Sequence, residues 1–204
     1  MSEKKQATRE KIIAAAIGCI EGQGLQALTI RSIASRAGVN SAAINYYFST
    51  KERLVKEALG RTLEEFKRIP EETLQAPDLD SRDRLRAFFN ALFEGIVTWP
   101  RITRAHLQSP LFEADYDTRF IDTFNSFLTD LLRRLEEMPL CPEQKNLRLR
   151  IIQTVSAVLI PGLMPGLFRY FSGLDFADPE ARKSYVDDLV GHLVPSQPQA
   201  QPSP

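Results

Sequence analysis

Apolar residues recur at three- and four-residue spacing along most of the chain, and this is the periodicity of amphipathic helices. In the first such segment, residues 8–21, five apolar side chains fall on one helical face: Ile12, Ile13, Ala16, Ile17 and Ile20. Gly22 and Gly24 follow and end the segment. No stretch shows the sustained two-residue alternation of a strand, so the pattern predicts an all-α fold.

Three further helices are predicted between residues 29 and 68. Thr29 is a suitable N-cap for the second helix, and Gly38 supplies the left-handed residue that ends it. The third helix covers residues 41–48. The fourth is predicted to begin with a capping box, Ser-Thr-Lys-Glu at residues 49–52, and is long enough to leave one small domain and enter the next.

The remaining sequence predicts a second helical domain over residues 69–194. Residues 70–80 form a linker or a helix break, and Asp178 is the N-cap of the last helix, with a proline and an acidic residue directly after it. The tail 195–204 is rich in Pro and Gln and is expected to be disordered. Helices in this part are predicted at residues 81–98, 102–108, 118–137, 142–171 and 178–193.

A tight turn at residues 37–39 joins two short helices, which is the spacing of a helix-turn-helix DNA-binding motif. Ile44 and Phe48 of the third helix are expected to point inward. The amide of Asn45 is expected on the outer face, where it can both donate to and accept from an adenine edge. The outward face is predicted to consist of Ser41, Ala42, Asn45 and Tyr46. We therefore predict a DNA-binding domain in residues 1–50 and a connecting helix over about 50–68.

Fourteen residues between Gly22 and Leu54 occur in one consistent order along the turn, the helix core and the exposed face. They are Gly22, Gly24, Thr29, Ile33, Ala34, Ala37, Gly38, Val39, Tyr46, Tyr47, Phe48, Lys51, Glu52 and Leu54. This order resembles the TetR family of bacterial transcriptional regulators. The resemblance covers the first quarter to third of the chain. It implies three DNA-binding helices joined by a fourth to a larger helical ligand-binding and dimerisation domain.

The resemblance also implies roles for the matched positions. Thr29, Tyr47 and Lys51 would contact DNA phosphates. The recognition surface would consist of Ser41, Ala42, Ala43, Asn45 and Tyr46. Because the third helix contains no Lys or Arg, positive charge must come from around it, and Arg31, Lys51 and residues 4–9 are the candidates.

The formal net charge of zero conceals an asymmetry between the two parts of the chain. Residues 1–68 contain twelve Lys and Arg against seven Glu, a net charge of +5, and the rest of the chain is correspondingly acidic. A basic end on an acidic body is typical of a protein whose basic end faces DNA, although chance segregation gives the same split.

No pattern in the sequence indicates an enzyme. His106 and His192 have no metal-binding partner at helical spacing, and the sequence contains no nucleophile or phosphate-binding motif, so we predict no catalytic residue, metal or cofactor. Cys19 is expected to be a buried thiol, and Cys141 is far from it in sequence. Acidic residues flank the apolar run 12–20, so a signal peptide is not predicted. The apolar run 157–168 is too short to span a bilayer and contains two prolines, so a cytoplasmic location is expected.

Aromatic residues are concentrated in the predicted second domain. A packed core explains most of them, but Trp99 at a helix end with His106 nearby is also compatible with an apolar pocket containing a few polar groups. The candidate ligand-binding residues are Phe89, Phe93, Trp99, Arg104, His106, Phe124, Met164 and Phe168. Two prolines at residues 161 and 165 interrupt a helical run, either as a conformational switch or as a local bend.

The sequence therefore favours a ligand-responsive transcriptional regulator, in the first place a repressor released from a palindromic DNA operator by a largely apolar small molecule. A homodimer is expected, with helices near residues 142–156 and 178–193 at its interface. The alternative is a helical protein-interaction module whose helix-turn-helix contacts another protein, because the third helix lacks basic residues.

Overall fold

The computed structural model describes residues 3–138 and 146–194, and over these ranges the chain is helical with no strand. The predicted all-α fold is confirmed. The helices are α1 (Glu3–Gln23), α2 (Ile30–Ala37), α3 (Ser41–Phe48), α4 (Lys51–Phe66), α5 (Ile69–Leu74), α6 (Ser81–Thr98), α7 (Pro100–Gln108), α8 (Arg119–Glu136), α9 (Leu147–Leu163), α10 (Arg169–Ser172) and α11 (Pro179–Leu193). A π-helical turn, Ser109–Glu113, follows α7.

Two details at the amino-terminal end differ from the prediction. Helix α1 starts at Glu3 instead of residue 8, because the residues before Thr8 are mostly good helix formers. The predicted capping box at residues 49–52 is wrong. Thr50 is the N-cap of α4 and accepts a hydrogen bond from the Arg53 amide at 3.1 Å, so the third helical position is an arginine that cannot complete the box.

The later helices also differ in their ends. Helix α5 lies within the predicted linker, and α7 begins at Pro100, a favourable first helical residue. The single helix predicted over 142–171 is replaced by α9 and α10, because residues Pro165 and Gly166 separate them. Pro161 lies within the last turn of α9. Residues 142–145, Cys141 and the tail 195–204 lie outside the described residues.

The chain divides into two compact units. Unit 1 consists of residues 1–68 and 98–125, and unit 2 consists of residues 69–97 and 126–204. Helix α7 was expected to belong with the second domain, yet it packs with α1 and α4 in unit 1. The physical reason is Ile102, which is buried in the same apolar cluster as Ile12 and Ile20 of α1.

Helix α7 is also joined to α1 by a reciprocal pair of helix caps. The Glu21 carboxylate accepts hydrogen bonds from the backbone amides of Arg101 and Ile102 at 3.1 and 3.0 Å, at the amino end of α7. The Arg101 guanidinium in turn donates to the carbonyls of Glu21 and Gly22 at the carboxyl end of α1. An anion at an amino end and a cation at a carboxyl end both interact favourably with the helix dipoles.

The core of unit 1 is built from one face of each of its first four helices. Ile12, Ile20, Ile33, Ile44 and Phe48 have no measurable exposure in this core. The buried stripe of α1 therefore holds α2 and α4 in place, and α3 is fixed by Ile44 and Phe48.

Unit 2 has a separate apolar core. Phe93 of α6 packs against Phe176 and Tyr185, with ring centroids 5.6 and 6.2 Å apart. The buried Arg182 of α11 donates to the carbonyls of Phe176 and Ala177 and pairs with Glu94, so its charge is compensated. No described helix is long and apolar enough to cross a membrane.

The turn between α2 and α3 requires the conformation of Gly38. Its φ and ψ are 61° and 38°, and Val39 donates its amide proton to the Ala34 carbonyl at 3.0 Å. A side chain at Gly38 would meet nothing closer than the Lys11 ammonium at 3.5 Å, so space is not the constraint. The constraint is the left-handed backbone conformation, which a residue with a Cβ atom disfavours.

We expect Gly38→Ala to lower the free energy of unfolding by about 1 kcal/mol, since alanine gives up 1–2 kcal/mol in this conformation. Gly22→Ala is the matched control. Gly22 lies in α1 with open space beside it, and alanine there is expected to raise stability by about 0.5–1 kcal/mol. Urea denaturation at a fixed protein concentration measures both changes, and a Gly38→Ala protein as stable as the wild type would contradict the assignment.

Candidate nucleic-acid interface

Helix α3 presents an uncharged polar face to solvent. Ser41, Ala42, Asn45 and Tyr46 are exposed, whereas Ile44 and Phe48 on the opposite face are fully buried. Tyr46 is 66% exposed, so its ring and hydroxyl are accessible to a partner. The predicted inward and outward orientations are thus confirmed, and the outer face offers hydrogen-bonding groups of the kind that contact base edges.

The amino ends of α2 and α4 lie next to one another. Thr29 caps α2 in a capping box. Its hydroxyl accepts a hydrogen bond from the Ser32 amide at 3.0 Å, and the Ser32 hydroxyl accepts one from the Thr29 amide. Lys51, in the first turn of α4, donates its ammonium to the Leu28 carbonyl at 3.4 Å, one residue before that cap. A hydroxyl, an ammonium and the amino end of a helix therefore meet at one place, which is a suitable environment for a phosphate.

The remaining two positions matched on α3 are less accessible. Ala43 and Tyr47 are half-buried. The Tyr47 ring packs edge-on against Tyr46, with centroids 5.2 Å apart, and also lies near Phe48. Tyr47 therefore packs against the exposed Tyr46 ring from the core side, and its hydroxyl is the only polar group of its side chain.

Acidic residues neutralise one set of basic residues in unit 1 and leave another set unpaired. Glu57 pairs with Arg9 and Arg53, and Glu10 pairs with Arg61, all on α1 and α4. Neither Arg31 nor Lys51 forms an ion pair with a carboxylate among the described residues. The charges of Arg31 and Lys51 thus remain available for an external anion.

The sequence pattern did not predict two contacts that help to build this face. Asn40 is the N-cap of α3 and accepts from the Ala43 amide at 2.8 Å, a role that its place before the helix could have indicated. Lys5 of α1 donates to the Tyr46 hydroxyl at 2.8 Å. These two residues are 41 positions apart, so no local pattern in the sequence pairs them.

The candidate ligand-binding residues are distributed over both units. In unit 2, Phe89 and Phe93 are fully buried core residues, while Met164 and Phe168 are exposed. In unit 1, Trp99 is the exposed residue before α7. The four candidates in unit 1 are Trp99, Arg104, His106 and Phe124, and the four in unit 2 are Phe89, Phe93, Met164 and Phe168.

Arg104 lines a shallow cleft of about 550 Å³ in unit 1, where α7 and the π-helical turn face the loop after α1. Leu25, Ala105 and Phe112 supply its apolar surface, and Arg101 and Gln108 add polar groups. Of the candidate ligand-binding residues, Arg104 alone lines this cleft. His106 and Phe124 instead lie at the aromatic stack described next.

His106 is packed between α4 and the start of α8. Its Nε2 atom lies 2.8 Å from the Thr62 hydroxyl, and its ring stacks on Phe120, which stacks on Phe124. Because the Thr62 hydroxyl already donates to the Leu59 carbonyl, it accepts from His106, which assigns the ring proton to Nε2. Burial lowers the pKa of His106 from 6.5 to about 4, so the ring is neutral at pH 7.

This low pKa predicts a pH-dependent stability. In the unfolded chain His106 takes up a proton near pH 6.5, whereas in the folded chain it stays neutral until about pH 4. The stabilisation is therefore complete above pH 6.5 and is lost as the pH falls towards 4, by up to about 3 kcal/mol. His106→Gln, which keeps an N–H donor for Thr62, should remove this part of the pH dependence in thermal or urea unfolding.

His192→Gln is the matched control for this measurement, because His192 is exposed on α11. Its unfolding profile is expected to follow that of the wild type between pH 7 and 4. If the His106→Gln and wild-type profiles coincide over this range, the neutral, buried state of His106 is not a source of stability.

Known proteins share the sequence of this amino-terminal region. Residues 12–58 match the family model described as bacterial regulatory proteins, tetR family. The HTH-type transcriptional regulator BetI of Stenotrophomonas maltophilia (strain R551-3) is 31% identical over 86 residues, which are 42% of this chain and 44% of that protein. The match thus spans about half the length of these curated relatives.

Two further proteins match over most of the chain. The HTH-type transcriptional repressor KstR of Rhodococcus jostii (strain RHA1) is 23% identical over 177 residues, which are 87% of this chain and 81% of that protein. The crystal structure of the multidrug binding protein EbrR in complex with malachite green has a TM-score of 0.58 at 18% identity, covering 92% of this chain and 98% of that one. The helical fold is therefore shared over both units.

Proposed function

We propose that this chain, whose residues 12–58 match the family model described as bacterial regulatory proteins, tetR family, is a ligand-responsive transcriptional regulator, and in the first place a repressor. Helix α3 would lie in the major groove of a palindromic operator and a small molecule would release the protein from it. The observation that carries this proposal is the exposed, uncharged face of α3 beside the unpaired cations Arg31 and Lys51. Such a regulator acts where the DNA is, in the cytoplasm.

The residues of this face would have different roles in DNA binding, because their side chains differ in chemistry. Asn45 can distinguish bases, because its amide donates one hydrogen bond and accepts another. Thr29 and Lys51 carry no base information and would fix the position of the domain on the phosphate backbone. Ser41, Ala42 and Ala43 are small enough to let the helix approach the base edges closely.

We expect Asn45→Ala and Lys51→Ala to weaken DNA binding in different ways. Asn45→Ala should cost about 1–3 kcal/mol on an operator selected by the wild-type protein and little on a random-sequence duplex. Lys51→Ala should weaken binding to both duplexes by a similar factor. It should also reduce the salt dependence, log K against log salt concentration, by about 0.9. Fluorescence anisotropy titrations at several salt concentrations measure both effects.

Lys56→Ala is the matched control, since Lys56 is an exposed lysine on another side of α4 and forms no described ion pair. It is expected to leave both the affinity and the salt slope near their wild-type values. Should the wild-type protein select no common sequence from a pool of random duplexes, the regulator proposal fails. The neutral recognition helix would then favour a protein partner.

The homodimer in this proposal is supported by an unpartnered apolar face on α9. Leu149, Ile152 and Ile160 are between 40% and 57% exposed, while the opposite side of the helix packs in unit 2 with α11. An exposed apolar stripe of this kind on a helix is typical of an interface. Two copies related by a two-fold axis would bury it and place two α3 helices on the two halves of a palindrome.

We expect Ile152→Glu to raise the dimer dissociation constant at least about 100-fold, roughly 3 kcal/mol, because a carboxylate would be buried without a partner. Leu111→Glu is the control, since Leu111 is equally exposed but lies in the π-helical turn of unit 1. Light scattering over a range of protein concentrations distinguishes monomer from dimer. Dimers of unchanged stability in the Ile152→Glu protein would exclude this face as the interface.

The effector in this proposal is a small, largely apolar molecule. Its support is the fold shared with EbrR, whose crystal structure contains malachite green. It is also supported by the aromatic residues around His106, where a ring without charge at pH 7 suits an apolar ligand better than an ion. A ligand that binds the DNA-free form more tightly by a few kcal/mol is enough to change operator occupancy.

A further inference from the structure

We propose that Lys5 and Tyr46 form a second backbone-binding unit for DNA, in which Lys5 contacts a phosphate and fixes the Tyr46 hydroxyl as a hydrogen-bond donor to the same phosphate. This inference rests on the proposed DNA-binding function. It assigns to α1, which lies outside the two helices of the helix-turn-helix, a direct part in binding.

The geometry joins two helices that the sequence keeps far apart. The Lys5 ammonium lies 2.8 Å from the Tyr46 hydroxyl oxygen and 5.4 Å from the centroid of the Tyr46 ring. Both side chains are exposed, so the pair lies on the surface next to Asn45. The contact with the hydroxyl raises the pKa of Lys5, so the ammonium stays charged.

The hydrogen atoms in this pair determine what it can bind. An ammonium has three donors and no acceptor, so the Tyr46 oxygen must accept from Lys5. The hydroxyl proton of Tyr46 is then directed away from Lys5 and can donate outward. Two ammonium protons also remain, so that the pair presents donors only, which suits the oxygen atoms of a phosphate.

The charge of Lys5 is available, whereas that of Arg9, which also contacts a residue of α3, is not. Arg9 lies 5.4 Å from the centroid of the Phe48 ring, but Glu57 neutralises it. Lys5 forms no ion pair with a carboxylate among the described residues. Since α3 has no Lys or Arg, Lys5 is a cation held directly against its exposed face by a described contact.

The test compares Lys5→Ala with Lys5→Arg and with Lys4→Ala. The probes are a palindromic duplex selected by the wild-type protein and a random-sequence duplex of equal length. Lys5→Ala should weaken binding to both duplexes by the same factor and lower the salt slope by about 0.9, whereas Lys5→Arg should keep the slope. Lys4 is rotated about 100° around α1 and has no described contact with α3, so Lys4→Ala should keep it too.

Tyr46→Phe tests whether the two side chains act as a unit. Loss of the hydroxyl alone should weaken binding to both duplexes. In the double variant Lys5→Ala/Tyr46→Phe, the loss should be smaller than the sum of the two single losses, because each single change already breaks the pair. Circular dichroism of each variant confirms that the helices are retained.

The inference is overturned by an unchanged slope for Lys5→Ala, by an equal change for Lys4→Ala, or by additive losses in the double variant. A loss confined to the selected operator would also overturn it, because that result indicates a base contact. These outcomes are distinguishable from failure of the proposed function, in which the wild-type protein itself selects no duplex.

Discussion

The buried apolar stripe of α1 is the interaction on which the arrangement of unit 1 depends. Ile12, Ala16 and Ile20 have no exposure, and the helix that carries them packs on α2, α4 and α7. The same helix has a polar contact at each end, Lys5 with Tyr46 and Glu21 with the amino end of α7. At 1.5 Å per residue these two contacts are about 24 Å apart along a single helix. Because α1 carries both contacts, the packing of its buried stripe sets the position of Lys5 beside α3 as well as that of Glu21 beside α7.

The carboxyl end of α4 is held by polar contacts with α7 and α8. Thr62 bonds to His106 of α7, and Glu64 pairs with Arg119 of α8 at 2.6 Å. The Arg119 guanidinium also lies against Gly60 of α4, 2.5 Å from where a Cβ atom would stand. Helix α4, which begins with Lys51, thus ends against α7 and α8. A ligand that displaces these helices would act on α4 through packed side chains, which is a physical connection between the two ends of the helix.

The features that the sequence predicted are those encoded by neighbouring residues. The cap at Thr29, the left-handed Gly38 and the orientation of Ile44 and Phe48 each depend on a few residues of local sequence, and each is found in the structure. The features that were missed depend on residues distant in sequence. Ile102 assigns α7 to unit 1 because of an apolar surface about 80 residues away, and the pairing of Lys5 with Tyr46 depends on how α1 crosses α3. The capping box failed for a different reason, because Thr50 competes with Ser49 as the N-cap and Ser49 takes a positive φ of 63°.

Because the proposed recognition helix α3 carries no charge, the residues that would supply affinity for DNA and those that would supply specificity lie on different helices. Asn45 and its small neighbours can discriminate bases, but they contribute little of the electrostatic free energy with which a protein binds DNA. That free energy must come from cations on α1, α2 and α4, and their distances from α3 are set by the packing of Ile12, Ile33, Ile44 and Leu54 in one core. In the proposed complex, core packing would therefore fix which phosphates are contacted when Asn45 reaches its base. A change in that core can alter operator binding without removing a single group that touches DNA, because a shift of about 1 Å between the cations and α3 is enough to misalign hydrogen bonds whose useful range is only 2.7–3.2 Å.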